Sequence, residues 1–504
     1  MKNKPLLLVF LHALLFTFLF YKQTIGINLL IFELLSIGSL LLILKIKLTD
    51  IPAIVVLFGT IITAIFTVIN FSVIVIFINI CSYLLLTGVM VYPKAKSLIS
   101  SAFLSIVNFF LSAGAFYQSI GDAKGGNRFF RILLNILKIG IIPLIIFIVF
   151  VVIYNASNPI FSKGLTKFTE WTSIYFGDFF TQINFALFGV FILGLFISII
   201  TFFQVKSSFV IDYDTNSKDY IERKRKKSDY SRPKTTALKA ELKSAVLLLV
   251  MLNVLLLAIN IIDIYWVWFN FEWEGEYLKQ FVHEGTYLLI LSILISIGIV
   301  LFYFRGNLNF YKKNVFLKKL SYAWLAQNAV LTLSVAIRNF WYIKYFALAY
   351  KRIGVLFFLL LTLYGIYTVY LKVKDKKSAF YLLRSNKLAA YCILIIMALF
   401  NWDIIIAKYN FNHYKQSFIH YNFLSNLSNK ALPYLDKTDA ELEDIDNIQH
   451  ELFPFEENYM SSQQYKSMIE SKKEGFYEKW SQKSWKSWNL SEAIAYKKLE
   501  TKNK

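Results

Sequence analysis

The chain has 504 residues, 57% of them hydrophobic and 18% aromatic, with a formal net charge of +22 and a mean hydropathy of +0.52. A water-soluble globular domain holds about 45–50% apolar residues, so this composition excludes that class. Only eight prolines and twenty glycines punctuate the chain, which also argues against a barrel of short strands and leaves an all-α, polytopic integral membrane helix bundle.

Apolar stretches of about 17–25 residues cross a bilayer core as helices. The N-terminal MKNKPLLLVFLHALLFTFLFY resembles a signal peptide, but no small-x-small cleavage site precedes YKQTIGIN, so it reads as a retained first helix. About eleven spans are expected, at 4–20, 28–45, 52–69, 71–91, 139–155, 182–204, 245–268, 285–304, 320–337, 353–371 and 388–407. The apolar stretch 97–118 carries serines, a glycine and Asn108, and is either a twelfth span or an interfacial helix. Cys81 and Cys392 fall inside apolar segments and read as small core residues rather than a disulfide.

Charge decides between the two readings of 97–118. Basic residues concentrate at 94–138, 206–243 (including ERKRKK at 222–227), 305–319 and 372–387. Short cytoplasmic loops collect Lys and Arg. All four segments face the cytoplasm only if 97–118 stays at the inner surface, which puts the N-terminus inside and the C-terminus outside. The chain then divides into a four-helix membrane region (1–96), an inner-side interfacial helix with a basic loop (97–138), a main membrane domain (139–407) and an extracytoplasmic helical tail (408–504). Residues 406–504 hold fourteen lysines and fourteen acids, so the net positive charge belongs to the membrane part. That charge implies contact with anionic lipids at the inner loops; no nucleic-acid-reading module accompanies ERKRKK.

Within the tail, HYKQSFIHYNFLSNLSNKALPYLDK reads as a helix broken at Pro433, followed by an acidic linker, DKTDAELEDIDN. Trp480, Trp485 and Trp488 near the end form either the core of a small helical appendage or a surface for a membrane or protein partner.

Ionisable groups at membrane depth cost roughly 2.5–3.5 kcal/mol on insertion scales, so each needs a partner or a purpose. Glu33 in INLLIFELLSIGSL pairs with a neighbouring helix or serves as a proton or ion site. A second group gathers near the outer leaflet: Asn260 and Asp263 three apart on one helix face, His283 and Glu284 at a helix start, Arg338 at a helix end, Lys351 and Arg352 at the next start, and Asn401 and Asp403 on the last span. The loop NFWYIKYFALAYKR (339–352) is positive on the outer side, against the charge rule, which is explained if Asp263 or Asp403 pairs with Arg338 or Arg352. The cluster either fastens helices together or binds an anionic substrate or lipid headgroup.

No phosphate-binding glycine loop, H-E-x-x-H, G-x-S-x-G or metal-ligand spacing occurs; GDAKGGNR at 121–128 follows no strand. No catalytic, cofactor-binding or metal residue is therefore assigned. Pro143 interrupts one span without a matching break in the second half, which weakens a transporter built on internal repeats.

Several stretches resemble a known family: YNASNPIF (154–161), NIIDIYWVW followed by YLKQFVHEGTYLLI, AYKRIGV, NWDIIIAKYNF followed by YNFLSNLSNKALPYL, and SWKSWNLSEA. They are similar to bacterial multi-pass membrane proteins of domain-of-unknown-function family 4173, a relative of family 4153. The resemblance runs from about 140 to the end, and His283-Glu284-Gly285 departs from it where the glycine is expected directly after the histidine. It implies an integral inner-membrane protein of unknown activity and supplies no catalytic residues. The expected function is non-enzymatic (structural, sensory or partner-binding), with a transporter or flippase for an anionic or lipid-like substrate as the alternative.

Overall fold

The computed structural model describes residues 4–122, 143, 147, 150–151, 154–155, 157–176, 185–223, 234–271, 276–454, 456 and 459–502. The expected span 139–155, the basic residues 124–138, the loop 121–128 beyond Asp122 and the run 224–227 lie wholly or mostly outside the described residues. Among the described residues the fold is helical, and the one strand-like feature is an isolated bridge between Tyr220 and Lys377. Among the described residues seven helices are long and apolar enough to cross a membrane, and four shorter apolar helices accompany them. The chain separates into two compact units, residues 1–215 with 483–489, and 216–482 with 490–504.

The first unit holds α1 (Lys4–Phe20), α2 (Ile27–Gly38), α3 (Ile51–Asn70), α4 (Val73–Val91), α5 (Leu98–Asp122), α6 (Pro159–Phe176), α7 (Phe185–Phe202) and most of α8 (Ser208–Asn216). Its helices expose large apolar side chains such as Leu7, Phe58 and Phe110, as lipid-facing surfaces do. Cys81 also stands on that exposed surface rather than in the core, and both cysteines are free. The NPIF turn has a local cause: the Asn158 carboxamide oxygen accepts from Ile160 and Phe161 N–H at 2.9 and 3.2 Å, capping α6 just ahead of Pro159.

Residues 97–118 were assigned above to the interface, but α5 has the length and apolar character of a span. It packs along α4 and α7: Asn108 donates to Ile200 O at 2.7 Å and accepts from Val205 N–H at 3.0 Å. Ser100 also donates to Asp214 Oδ1 at 2.6 Å and Ser105 to Leu84 O at 2.7 Å, so several of its polar groups bond neighbouring helices. Gly88 lets α4 and α5 approach closely, since a Cβ there would fall 2.0 Å from Ser101 O.

The second unit holds α9 (Lys234–Asp263), α10 (Glu276–Tyr303), α11 (Val315–Phe346), α12 (Tyr350–Asp375), α13 (Ala379–Ala398) and the tail helices α14 (Trp402–Asn412), α15 (Tyr421–Ser425), α16 (Leu432–Leu435), α17 (Asp439–Leu452), α18 (Ser462–Ser481) and α19 (Leu490–Lys502). A short 3-10 turn, Asn429–Ala431, leads into α16. The span expected at 388–407 is displaced. Ser378 caps α13 by accepting from Tyr381 N–H at 3.1 Å, and Arg384 reaches Asp219 at 2.6 Å, so the polar run before 388 is helix. The helix stops at Ala398, and Asp403 falls in the first turn of a separate helix. The expected loop 339–352 is likewise mostly helical, with its turn confined to 347–349.

Basic segments of the second unit meet at one end of its helices. Arg305 lies 3.5 Å from Glu241, Lys376 stands over the Phe310 ring, and Ser378 N–H donates to Asp219 O at 2.8 Å.

The tail helices pack around Leu424, Leu432, Leu435, Tyr465, Phe476 and Leu499, a buried cluster that also takes in Ile353 of α12. The stretch read as an acidic linker is in fact α17. Thr438 and Glu441 form a capping box at its start, a T-x-x-E signal visible in the sequence. Trp480 packs on Phe476 and Tyr496 in this core, whereas Trp485 and Trp488 belong to the first unit.

Candidate functional site: buried charge links at the helix ends

Helices α9 and α11 run parallel along a polar seam. Asn253 donates to Leu320 O at 3.2 Å and accepts from Gln327 at 2.8 Å, and Asn260 donates to Gln327 O at 3.1 Å. Further along, Trp341 donates to Val267 O and Trp268 to Ser334 Oγ, each at 2.9 Å. Side-chain amides bridging helices are a common membrane fastener, because the alternative is an unsatisfied polar group in hydrocarbon. Arg338 donates to Asp263 Oδ1 within this seam, and both side chains are buried. Gly285 on α10 completes the setting: a Cβ there would sit 3.7 Å from the Arg338 guanidinium, so α10 presents its glycine to the arginine. His283 and Glu284 lie on α10, but their side chains are outside the described residues.

Arg352 does not meet either aspartate. Its guanidinium donates to the carbonyls of Phe346 and Ala347 and stacks on the Tyr342 ring at 4.2 Å. It therefore caps the C-terminal end of α11, where unmatched carbonyls and the helix dipole favour a cation. Ala347, at φ 64°, makes the turn into α12.

Asp403 finds its cation in the tail. Lys430 Nζ lies 2.8 Å from Asp403 Oδ2, and the carboxylate also accepts from Ser428 Oγ and the Tyr350 hydroxyl. Lys430 is 2% exposed and Asp403 5%, so this is a buried pair. Burial pulls the Lys430 ammonium below its usual range, with Asp403 acting in the opposite sense. Asn410 adds a second clip, accepting from Leu348 N–H at 2.8 Å and donating to Leu348 O at 3.1 Å. Asn401 stands at the N-terminal end of α14, and its carboxamide oxygen is buried with no hydrogen-bond partner among the described residues.

The expected cluster thus divides into separate links: Asp263 with Arg338, Asp403 with Lys430, and Arg352 with backbone carbonyls. Tyr350, Asn410, Ser428 and Lys430 were not singled out from the sequence, although Ser428 and Lys430 lie in YNFLSNLSNKALPYL, a stretch that carries the family resemblance. A lysine ahead of a proline in a polar run gives no sign of burial.

In the first unit, Glu33 on α2 is buried and accepts from Asn79 Nδ2 at 3.0 Å. Asn79 also donates to Thr63 Oγ1 at 3.2 Å, and Thr60 shares a hydrogen bond with Ser82 at 2.8 Å, which ties α2, α3 and α4 through neutral polar groups. Among the described residues, no group of three or more His, Cys, Asp or Glu could hold a metal ion.

A family model described as Domain of unknown function (DUF4153) matches residues 53–438. Comparison with curated proteins and with solved structures returned no match. The match begins well before the resemblance at about 140, takes in α3 to α5, and ends ahead of α17. It covers more than half of the chain, and the apolar helices agree with it: this integral membrane protein belongs to the DUF4153 family.

Proposed function

We propose that the protein is a non-enzymatic component of a bacterial inner membrane with a structural, sensory or partner-binding role, its helical tail held outside the membrane as the working module. The observation that carries this reading is that the buried carboxylates Asp263 and Asp403 are each engaged by a basic side chain of the same chain, Arg338 and Lys430. Removing one partner of such a pair leaves a buried charge and is strongly destabilising, so these residues serve to hold helices in place. The basic segments that meet at one end of the second unit support a cytoplasmic face there, with the Asp263–Arg338 link toward the other end of α11. Anionic lipids at the basic loops and a protein partner for the tail follow from the same reading.

The transporter or flippase alternative draws on one observation: Asn260 Oδ1 and Asp263 Oδ2 are buried acceptors on one helix face with no hydrogen-bond partner among the described residues. The two readings separate in Asp263→Asn, Arg338→Met and the double variant. Lower folded yield in the singles with recovery in the double supports fastening. Normal yield with lost movement of an anionic lipid across vesicles supports transport. Reporter fusions test the orientation: a periplasm-dependent reporter after residue 504 is active if the tail is outside. The same reporter ahead of residue 1 is inactive if the N-terminus is cytoplasmic, and active if α5 adds a further crossing.

A further inference from the structure

The tail distributes its charge unevenly. Fourteen lysines balance fourteen acids over residues 406–504, and several are paired with carboxylates: Lys437 with Glu441 at 2.9 Å, Lys473 with Asp436 at 2.9 Å, Lys466 with Asp439. Lys408, Lys497 and Lys498 are different. None of these three has a carboxylate within ion-pair distance among the described residues, and they gather around one tyrosine. Lys498 Nζ donates to the Tyr434 hydroxyl at 2.6 Å, and Lys408 Nζ stands 4.7 Å from the centre of the same ring.

Tyr434 lines a surface pocket of about 570 Å³ with Pro433, Ile494, Lys497, Lys498 and Thr501. Lys502 also reaches this pocket but already holds Asp436 at 3.6 Å. Burial acting alone would raise the Tyr434 phenol. Lys498 and Lys408 outweigh it and hold the phenol below its ordinary value, so the pocket is a region of positive potential. One wall is apolar: Ile494 is 46% exposed beside Pro433. Lysine ammonium groups act as point charges toward phosphate oxygens, and Lys497 and Lys498 both line the pocket with donors to spare.

We propose that this pocket binds a phosphate ester. The phosphate lies against Lys497 and Lys498, Lys408 adds positive field from the Tyr434 ring, and the apolar part of the ligand rests on Pro433 and Ile494. The inference is independent of the fastening role proposed for Asp263 and Asp403, because none of the residues of those links lines the pocket. Lys408 belongs to α14, the helix that follows the span α13, so a phospholipid headgroup is one source of such a group and a soluble phosphate ester the other.

The test uses the full chain in phosphatidylcholine nanodiscs, titrated calorimetrically with dihexanoyl phosphatidylglycerol and, separately, with inorganic phosphate. Wild type binds the short-chain phosphatidylglycerol saturably, and the affinity falls as salt is raised. Lys497→Gln/Lys498→Gln weakens binding about thirtyfold, and Lys497→Gln alone about fivefold, from the attraction contributed by each lysine. Lys466→Gln, which removes a carboxylate-paired lysine elsewhere on the tail, leaves binding unchanged. Displacement by inorganic phosphate identifies the phosphate as sufficient for recognition; saturable lipid binding that phosphate does not displace identifies the headgroup with its apolar part. The proposal is overturned if neither probe binds saturably, or if the double variant binds as wild type does. The Lys497 ammonium makes no hydrogen bond, ion pair or ring contact among the described residues, and the bond its carbonyl accepts from Thr501 Oγ1 (2.8 Å) survives substitution, so its single variant keeps the fold and the test even if the double variant does not.

Discussion

Replacing Asp403 by asparagine is expected to damage the tail more than replacing Lys430 by methionine, and the two changes together are expected to cost less than their sum. The asymmetry follows from the bonding. Asp403 accepts from three donors, Lys430, Ser428 and Tyr350, so Lys430→Met leaves it two hydroxyl partners. The loss is then about 2 kcal/mol, the usual scale of one charge-assisted hydrogen bond. Asp403→Asn instead removes the carboxylate from a buried ammonium and weakens the acceptor for both hydroxyls, which costs about 3–5 kcal/mol. In the double variant no charge is left behind by its partner, and a coupling energy of about 1–3 kcal/mol is expected. Native-state hydrogen exchange at residues 421–435, in the full-length protein in detergent, reads the local opening free energy of the segment that holds Lys430. Effects that add to within about 0.5 kcal/mol would mean that the two side chains are neighbours without being energetically linked, and the fastening argument would fail.

Three further outcomes can be checked on the same preparation. Gly26→Ala places a Cβ 2.5 Å from the Ser487 backbone and opposes the Ile27 N–H to Trp488 O bond (3.0 Å); a cost of about 1–3 kcal/mol and faster tryptic cleavage at Lys483 and Lys486 are expected, and unchanged cleavage would refute it. Burial raises the Tyr421 phenol, with Asp446 adding to the effect, and burial raises Tyr465 beside it. Both groups stabilise the tail below the unfolded tyrosine value of about 10, and this stability is lost as pH rises above it; Tyr421→Phe reduces that alkaline loss. At Ala347, φ 64° and ψ −176° suit glycine, so Ala347→Gly is tolerated within about 1 kcal/mol while Ala347→Val costs more than about 2 kcal/mol in thermal melts.

Hydropathy reads helix existence well because burial in lipid demands long apolar runs whatever they pack against. It reads function-bearing details poorly where polar groups bond to other helices. Ser105 and Asn108 of α5 look like an interface in the sequence and make inter-helix bonds in the structure, and the polar run Arg384–Lys387 looks like a loop and lies in the first half of α13. Asp263 and Arg338 were legible as charges needing partners, since membrane depth makes each costly alone. The partner of Asp403 was not, because Lys430 reaches it only through the folding of the tail, and nothing local to NWDIIIAKYNF specifies that return. Arg352 was misread for a similar reason: a helix C-terminus offers carbonyls that compete with any carboxylate for a guanidinium.

The segment 483–489 has a consequence for the order in which the molecule is made. Ser487 and Trp488 close over the turn at Gly26, and Lys486 donates to Phe18 O at 2.7 Å, yet these residues are translated roughly 460 positions later. At synthesis rates of about 5–20 residues per second, the first two helices wait on the order of 20–90 s, already inserted, before their final contacts exist. Over that interval the turn at Gly26 is an open surface that a chaperone or another nascent chain can reach. A turn made early in synthesis is therefore among the last to reach its finished packing.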